Sequence, residues 1–118
     1  MLILPIKKKW FDMILSGEKK EEYRTCNDYY ESRFYTCKNC INHCDGYCMR
    51  ISCRPELYVC LRNGYSSDSP FMICKVRVFK SQGIEKWGAI KGKIYFVLLI
   101  DKIIKVGNLK LDQIIIYK

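Results

Sequence analysis

Long hydrophobic runs are missing from this 118-residue chain. The longest uncharged one, Ile94–Ile100, ends at Asp101, whereas a helical membrane span needs about 20 apolar residues. The beginning, MLILPIKKKW, places its few apolar residues before its lysines, the reverse of a secretory signal. The expectation is therefore a soluble, cytoplasmic protein with no membrane partner. No nucleophile elbow, phosphate-gripping P-loop or dinucleotide fingerprint occurs, which removes the usual signatures of those chemistries. Internal repeats and low-complexity linkers are also absent, so residues 1–118 are expected to form one domain.

What the chain does have is positive charge, with 21 Lys and Arg against 12 Asp and Glu. The excess is uneven: residues 1–36 carry a net +1 and residues 37–118 a net +8. A small domain this basic suits a polyanionic partner, because neutralised phosphates release condensed counterions. Scattered lysines that keep a small protein soluble give the same total. Eight cysteines without a secretory signal argue against a disulfide framework, leaving buried apolar packing or metal ligation as their uses.

Met1–Ile6 reads as a first buried strand. From Lys7 to Ser16, Trp10 with Ile14 and Phe11 with Leu15 fall four apart, a helical stripe. Gly17 stands where a helix wants a left-handed terminating residue. Glu21–Cys26 reads as a strand and Tyr29–Tyr35 as a short helix or turn, while residues 37–53 show no clean period. Strands are expected at Leu57–Leu61, at Phe71–Phe79 and at Ile94–Ile100, the last able to continue through Val106. In Phe71–Phe79, Met72, Cys74, Val76 and Val78 alternate with Lys75 and Arg77. Gly107-Asn108 then turns the chain into an expected last strand, Leu109–Tyr117. One early helix followed by strands predicts an α+β domain, a small barrel with a helix against it.

The stretch SGEKKEEYR, residues 16–24, carries the densest chemistry. Strand alternation points Glu22 and Arg24 to one face and Tyr23 to the other, and Lys19 lies in the preceding turn. An arginine offers a two-pronged fork for phosphate or a base edge. A glutamate can exchange a proton or accept from an exocyclic amine. A desolvated lysine can serve as base or nucleophile. A surface ion-pair turn is the bland reading of the same residues.

Helix, glycine stop and then Gly17, Lys19, Glu22 and Arg24 match the pattern G-x-K-x-x-E-x-R, which resembles the signature of the ASCH domain in the PUA-like superfamily. The order MLILPIKKKWFDMILSGEKKEEYR, then LRNGYSSDSP, then EKWGAIKGKIYFVLLIDKIIKVG is similar to small stand-alone ASCH proteins of bacteria and phages. The likeness leaves out a cysteine-rich insert at about residues 37–53. It implies a PUA-like β-barrel with an N-terminal helix packed against it and the motif residues lining a cleft. It also implies binding of RNA or a modified nucleotide through Lys19, Glu22, Tyr23 and Arg24. The alternative is a small hydrolase or nuclease acting on RNA or a modified nucleoside, with Lys19 and Glu22 as acid–base residues. In the ASCH-type N4-acetylcytidine amidohydrolases the motif lysine works with a threonine at the place of Glu22 and with a later glutamate, for which Glu85 is the candidate here. Glutamate in place of threonine separates the fold from that chemistry.

Arg62, Asn63, Tyr65 and Ser66, within LRNGYSSDSP, form a second candidate binding group, able to grip a phosphate and stack a base. An Asn-Gly turn is the plain alternative. Cys37, Cys40, Cys44 and Cys48, with His43 beside them and Cys53 beyond, give C-x2-C-x3-C-x3-C. Four thiolates so placed can close a structural zinc site, or Cys40, Cys44 and Cys48 can pack on one helical face. Tyr29, Tyr30, Phe34 and Tyr35 offer either a stacking surface beside the motif or core, core being the expectation for Phe34 and one tyrosine. Trp87, between glycines, is read as a packing residue.

Overall fold

The computed structural model describes residues 1–34 and 56–117. In chain order these form β1 (Leu2–Pro5), α1 (Lys8–Leu15), β2 (Glu21–Thr25), α2 (Asp28–Phe34), β3 (Glu56–Arg62), β4 (Phe71–Gln82), a 3₁₀ turn (Glu85–Trp87), β5 (Ile94–Gly107) and α3 (Leu111–Tyr117). The fold is α+β, built on one mixed five-stranded sheet in the order β1-β3-β4-β5-β2. β1 runs parallel to β3, with Leu4 opposite Leu61 and Pro5 opposite Arg62. β2 runs antiparallel to β5, with Glu22 opposite Leu98 and Arg24 opposite Phe96. β1 and β2 end the order, so the described sheet is open. No helix among the described residues is long and apolar enough to cross a membrane.

Contacts divide the chain into two units. The first comprises Met1–Lys20, Tyr58–Val76 and Ile100–Lys118. Its α1 has the expected stripe, with Phe11, Ile14 and Leu15 buried. They join a core containing Leu4, Ile6, Val59, Leu61, Met72, Cys74 and Val76. The strict alternation of β4 buries Met72, Cys74 and Val76 while Ile73 and Lys75 stay half-exposed. α1 stops as its sequence requires. Gly17 takes φ 86°, conformational space that a side chain disfavours, and its N–H donates to the Ile14 carbonyl at 3.0 Å. The Lys19 N–H then donates to the Met13 carbonyl, also at 3.0 Å, folding the chain back along the helix.

The second unit comprises Glu21–Leu57 and Arg77–Leu99. Here α2 begins at a proper cap: Asn27 Oδ1 accepts the Tyr30 N–H at 2.9 Å. Asp28 and Glu31 occupy its first turn and Arg33 its last, each suiting the helix dipole. Phe34, Val78, Trp87, Tyr95, Phe96, Val97 and Leu98 are buried in this unit, as expected of Phe34 and Trp87.

The expected last strand, Leu109–Tyr117, is instead the helix α3. Its β-branched isoleucines favour a strand by propensity, but a buried residue decides otherwise. Gln113 accepts the Lys110 N–H on its side-chain oxygen at 2.9 Å and donates to Asp12 Oδ1 at 2.9 Å. The first bond caps the helix, and the second fastens α3 to α1, against which it packs.

Candidate functional site

β2 alternates as its sequence requires. Glu22 and Arg24 share a face, and Arg24 Nη2 donates to Glu22 Oε2 at 2.8 Å in a largely buried ion pair. The opposite face carries Glu21 and Tyr23, whose hydroxyl donates to Glu21 Oε1 at 2.7 Å and accepts the Ile84 N–H at 2.8 Å. Burial raises the Tyr23 phenol well above its ordinary value, so it stays neutral. Tyr23 also packs against the Tyr95 ring at 5.5 Å. These bonds give Tyr23 a packing role on the face away from the Glu22–Arg24 pair.

The ion pair stands beside an aromatic row. Arg24 Nη1 donates to the Tyr30 hydroxyl at 3.4 Å. Tyr30 stacks on Phe34 with centroids 5.3 Å apart and planes 7° apart, and Phe34 meets Phe96 edge-on at 5.3 Å. Lys80 places its ammonium 5.3 Å from the Phe96 ring and 3.2 Å from Glu31 Oε2. Tyr29 meets Tyr30 edge-on at 4.9 Å, and the Arg33 guanidinium lies 3.5 Å from the Tyr29 centroid. Both cation and ring are thereby provided on α2. The sequence places Tyr30 among the aromatics beside the motif but does not foresee its hydrogen bond to Arg24. The four-residue spacing of Tyr30 and Phe34 was the available signal.

Lys19 belongs to the other unit and is almost wholly enclosed, 1% exposed. Its ammonium lies 5.2 Å from the centroid of the Trp10 ring, a cation–π arrangement in a desolvated setting. The backbone bond from Lys19 to Met13 sets this placement. Glu85, the candidate for a later catalytic glutamate, is exposed at the start of the 3₁₀ turn.

The second candidate group divides. Asn63 and Tyr65, with Gly64, help line a cavity of about 390 Å³ whose remaining wall is Pro5, Ile6 and Lys7. Arg62 and Ser66 are not among its lining residues. Ser66 instead holds its own loop: its hydroxyl accepts the Asp68 N–H at 3.1 Å, and its N–H donates to Ser69 Oγ at 3.2 Å.

Cys37, Cys40, Cys44 and Cys48 lie outside the described residues. Among the described residues no cluster of three or more His, Cys, Asp or Glu side chains is arranged to hold a metal ion. Cys26, Cys60 and Cys74 are free thiols, and burial pushes the Cys74 thiol up to about 12. Comparison of the chain with protein-family models, with curated proteins and with solved structures found no match.

Proposed function

We propose that this chain is a cytoplasmic RNA- or modified-nucleotide-binding protein that reads its ligand with Glu22 and Arg24, with Lys19 as a further contributor. One observation carries the reading: a glutamate–arginine pair at 2.8 Å, largely withdrawn from water, next to the stacked rings of Tyr30 and Phe34. Burying two charges is a poor way to stabilise a strand, because lost hydration offsets most of their attraction. It is a good way to preorganise a donor fork beside an acceptor. A base edge offers the matching donors and acceptors, and the half-exposed Tyr30 ring suits its π-face. The net charge of +9 draws a phosphate-bearing ligand to the protein. The likeness of Gly17, Lys19, Glu22 and Arg24 to the ASCH motif points the same way. A PUA-like barrel is the finer fold that accompanies this reading, and it requires strand pairing beyond the open five-strand order.

The test is binding of short RNA oligonucleotides at several salt concentrations. Arg24→Ala and Arg24→Lys should each weaken binding about tenfold or more, the lysine failing because it lacks the planar fork. The RNA should be recovered intact. Wild-type affinity in a folded Arg24→Ala variant would remove the reading.

A hydrolase or nuclease using Lys19 and Glu22 is the second reading, favoured by the enclosure of the Lys19 amine against Trp10, an environment that suits lysine as base or nucleophile. It predicts turnover of RNA or a modified nucleoside that Lys19→Ala and Glu22→Gln both abolish. Product formed equally by both variants would dismiss it. Structural zinc on Cys37, Cys40, Cys44 and Cys48 completes the proposal. It requires stoichiometric metal in protein purified without chelator, read by elemental analysis.

A further inference from the structure

The parallel register of β1 and β3 sets Pro5 beside Arg62, and the Ile6 N–H donates to the Arg62 carbonyl at 2.9 Å. The two chains therefore leave the sheet side by side, Ile6 and Lys7 from one and Asn63, Gly64 and Tyr65 from the other. Asn63 fastens the walls together, donating Nδ2 to the Ile6 carbonyl at 3.1 Å. The cavity between them, about 390 Å³, falls near the small end of the ligand-pocket range.

The loop that forms one wall is held in place. The Asn63 N–H donates to the Pro70 carbonyl at 2.8 Å and the Ser69 N–H to the Ser66 carbonyl at 3.0 Å. Asn108 Nδ2 donates to the Ser67 and Ser69 carbonyls at 3.4 Å. Gly64 has φ 134°, and a Cβ there would lie 2.5 Å from Ser69 Oγ. This hydrogen-bonded loop presents Tyr65 at 87% exposure.

Among the described residues, the lining combines the Tyr65 ring, the apolar Pro5 and Ile6, the Asn63 amide and one ammonium, with no carboxylate. Lys8, next in the chain, is engaged by Asp12 and Asp112 at 2.7 Å each. Lys7 is exposed and is the cation the cavity offers. We propose that this cavity is a separate mononucleotide site, in which Tyr65 stacks on the base, Lys7 pairs with the phosphate and Asn63 Oδ1 accepts from the ligand. All six lining residues belong to the first unit, so the proposal stands independently of Glu22 and Arg24.

The test is titration of the full chain with adenosine 5′-monophosphate, followed by amide NMR, with adenosine and ribose 5-phosphate as partial ligands. Saturable shifts are expected at Lys7 and Asn63–Ser66, with both partial ligands weaker. Tyr65→Ala should weaken binding about tenfold or more, while Tyr65→Phe should stay within about twofold because the ring remains. Lys7→Gln should weaken binding and flatten its salt dependence. Absence of these shifts at millimolar nucleotide, unchanged affinity in folded Tyr65→Ala, or equal affinity for ribose 5-phosphate would each overturn the proposal. Arg24→Ala separates the two readings. Loss of the Asn63–Ser66 shifts in that variant assigns the nucleotide elsewhere and overturns this site, while its RNA affinity reports on the Glu22–Arg24 reading alone.

Discussion

Two ion pairs of similar length sit in opposite surroundings. Arg24 and Glu22 meet at 2.8 Å with side chains 14% and 9% exposed, while Lys8 and Asp112 meet at 2.7 Å with side chains 52% and 59% exposed. Water screens the exposed pair and leaves it little energy. The buried pair has surrendered hydration and depends on both partners being present. Equal distances therefore describe unequal bonds, and the pair that is expensive to maintain is the better candidate for a task beyond folding.

The strongest way to break the comparison is to remove one buried partner. Glu22→Ala leaves the Arg24 guanidinium enclosed without its carboxylate and should destabilise the protein by about 3 kcal/mol, read from denaturant midpoints. Replacing both, Glu22→Leu with Arg24→Met, should recover most of that loss because apolar side chains of similar size can match a buried ion pair. RNA affinity should stay lost. A double variant as unstable as the single one assigns the pair to the fold rather than to a ligand.

A buried group also lies close to the exposed pair, and it is neutral. Gln113 is fully enclosed and links the Lys110 N–H to Asp12 Oδ1. Gln113→Ala removes both bonds and should cost about 2 kcal/mol, with faster amide exchange through α3. Wild-type stability in that variant would mean that the surface ions, not the amide, hold the helix. Smaller again is Tyr30→Phe. It deletes an acceptor 3.4 Å from Arg24 Nη1 while keeping the stack on Phe34, so a loss of about 0.5 kcal/mol is expected. A loss several times larger would show the hydroxyl to be essential to the buried pair.

Local rules made part of this legible in the sequence. The two-residue period of a strand is enough to put Glu22 and Arg24 on one face, and the apolar stripe ending at Gly17 is enough to end α1 there. The alternation from Met72 to Val78 likewise gives β4 its buried face. What stayed hidden depends on distant partners. Tyr30 reaches Arg24 only because α2 folds against its strand. Residues 111–117 become helical because Gln113 finds Asp12, 101 positions away, against the strand preference of its isoleucines. The cavity at Tyr65 needs β1 and β3 to be parallel neighbours, which no short stretch specifies. Lys19 read as a turn lysine, yet its backbone bond to Met13 turns the chain inward.

The gentlest test of the comparison is pH, applied to the exposed pair. Hydrogen bonding from Lys8 lowers the Asp112 carboxyl below its ordinary value, and bonding to Asp112 and then Asp12 raises the Lys8 ammonium above its own. A lowered carboxyl stabilises the fold above its unfolded value, and that contribution is lost as pH falls through the folded value. A raised ammonium stabilises below its unfolded value, and that contribution is lost as pH rises through the folded one. The pair should therefore act fully across the neutral range and fade at both ends, in acid through Asp112 and in strong alkali through Lys8. Both groups are open to water, so the effect should be slight and should vanish in molar salt. Amide exchange along α3 would show it as a small, salt-sensitive rise below the aspartate range, missing in Asp112→Asn. A steep rise persisting in molar salt would contradict the ranking of the two pairs, because only a charge shielded from water keeps its grip there.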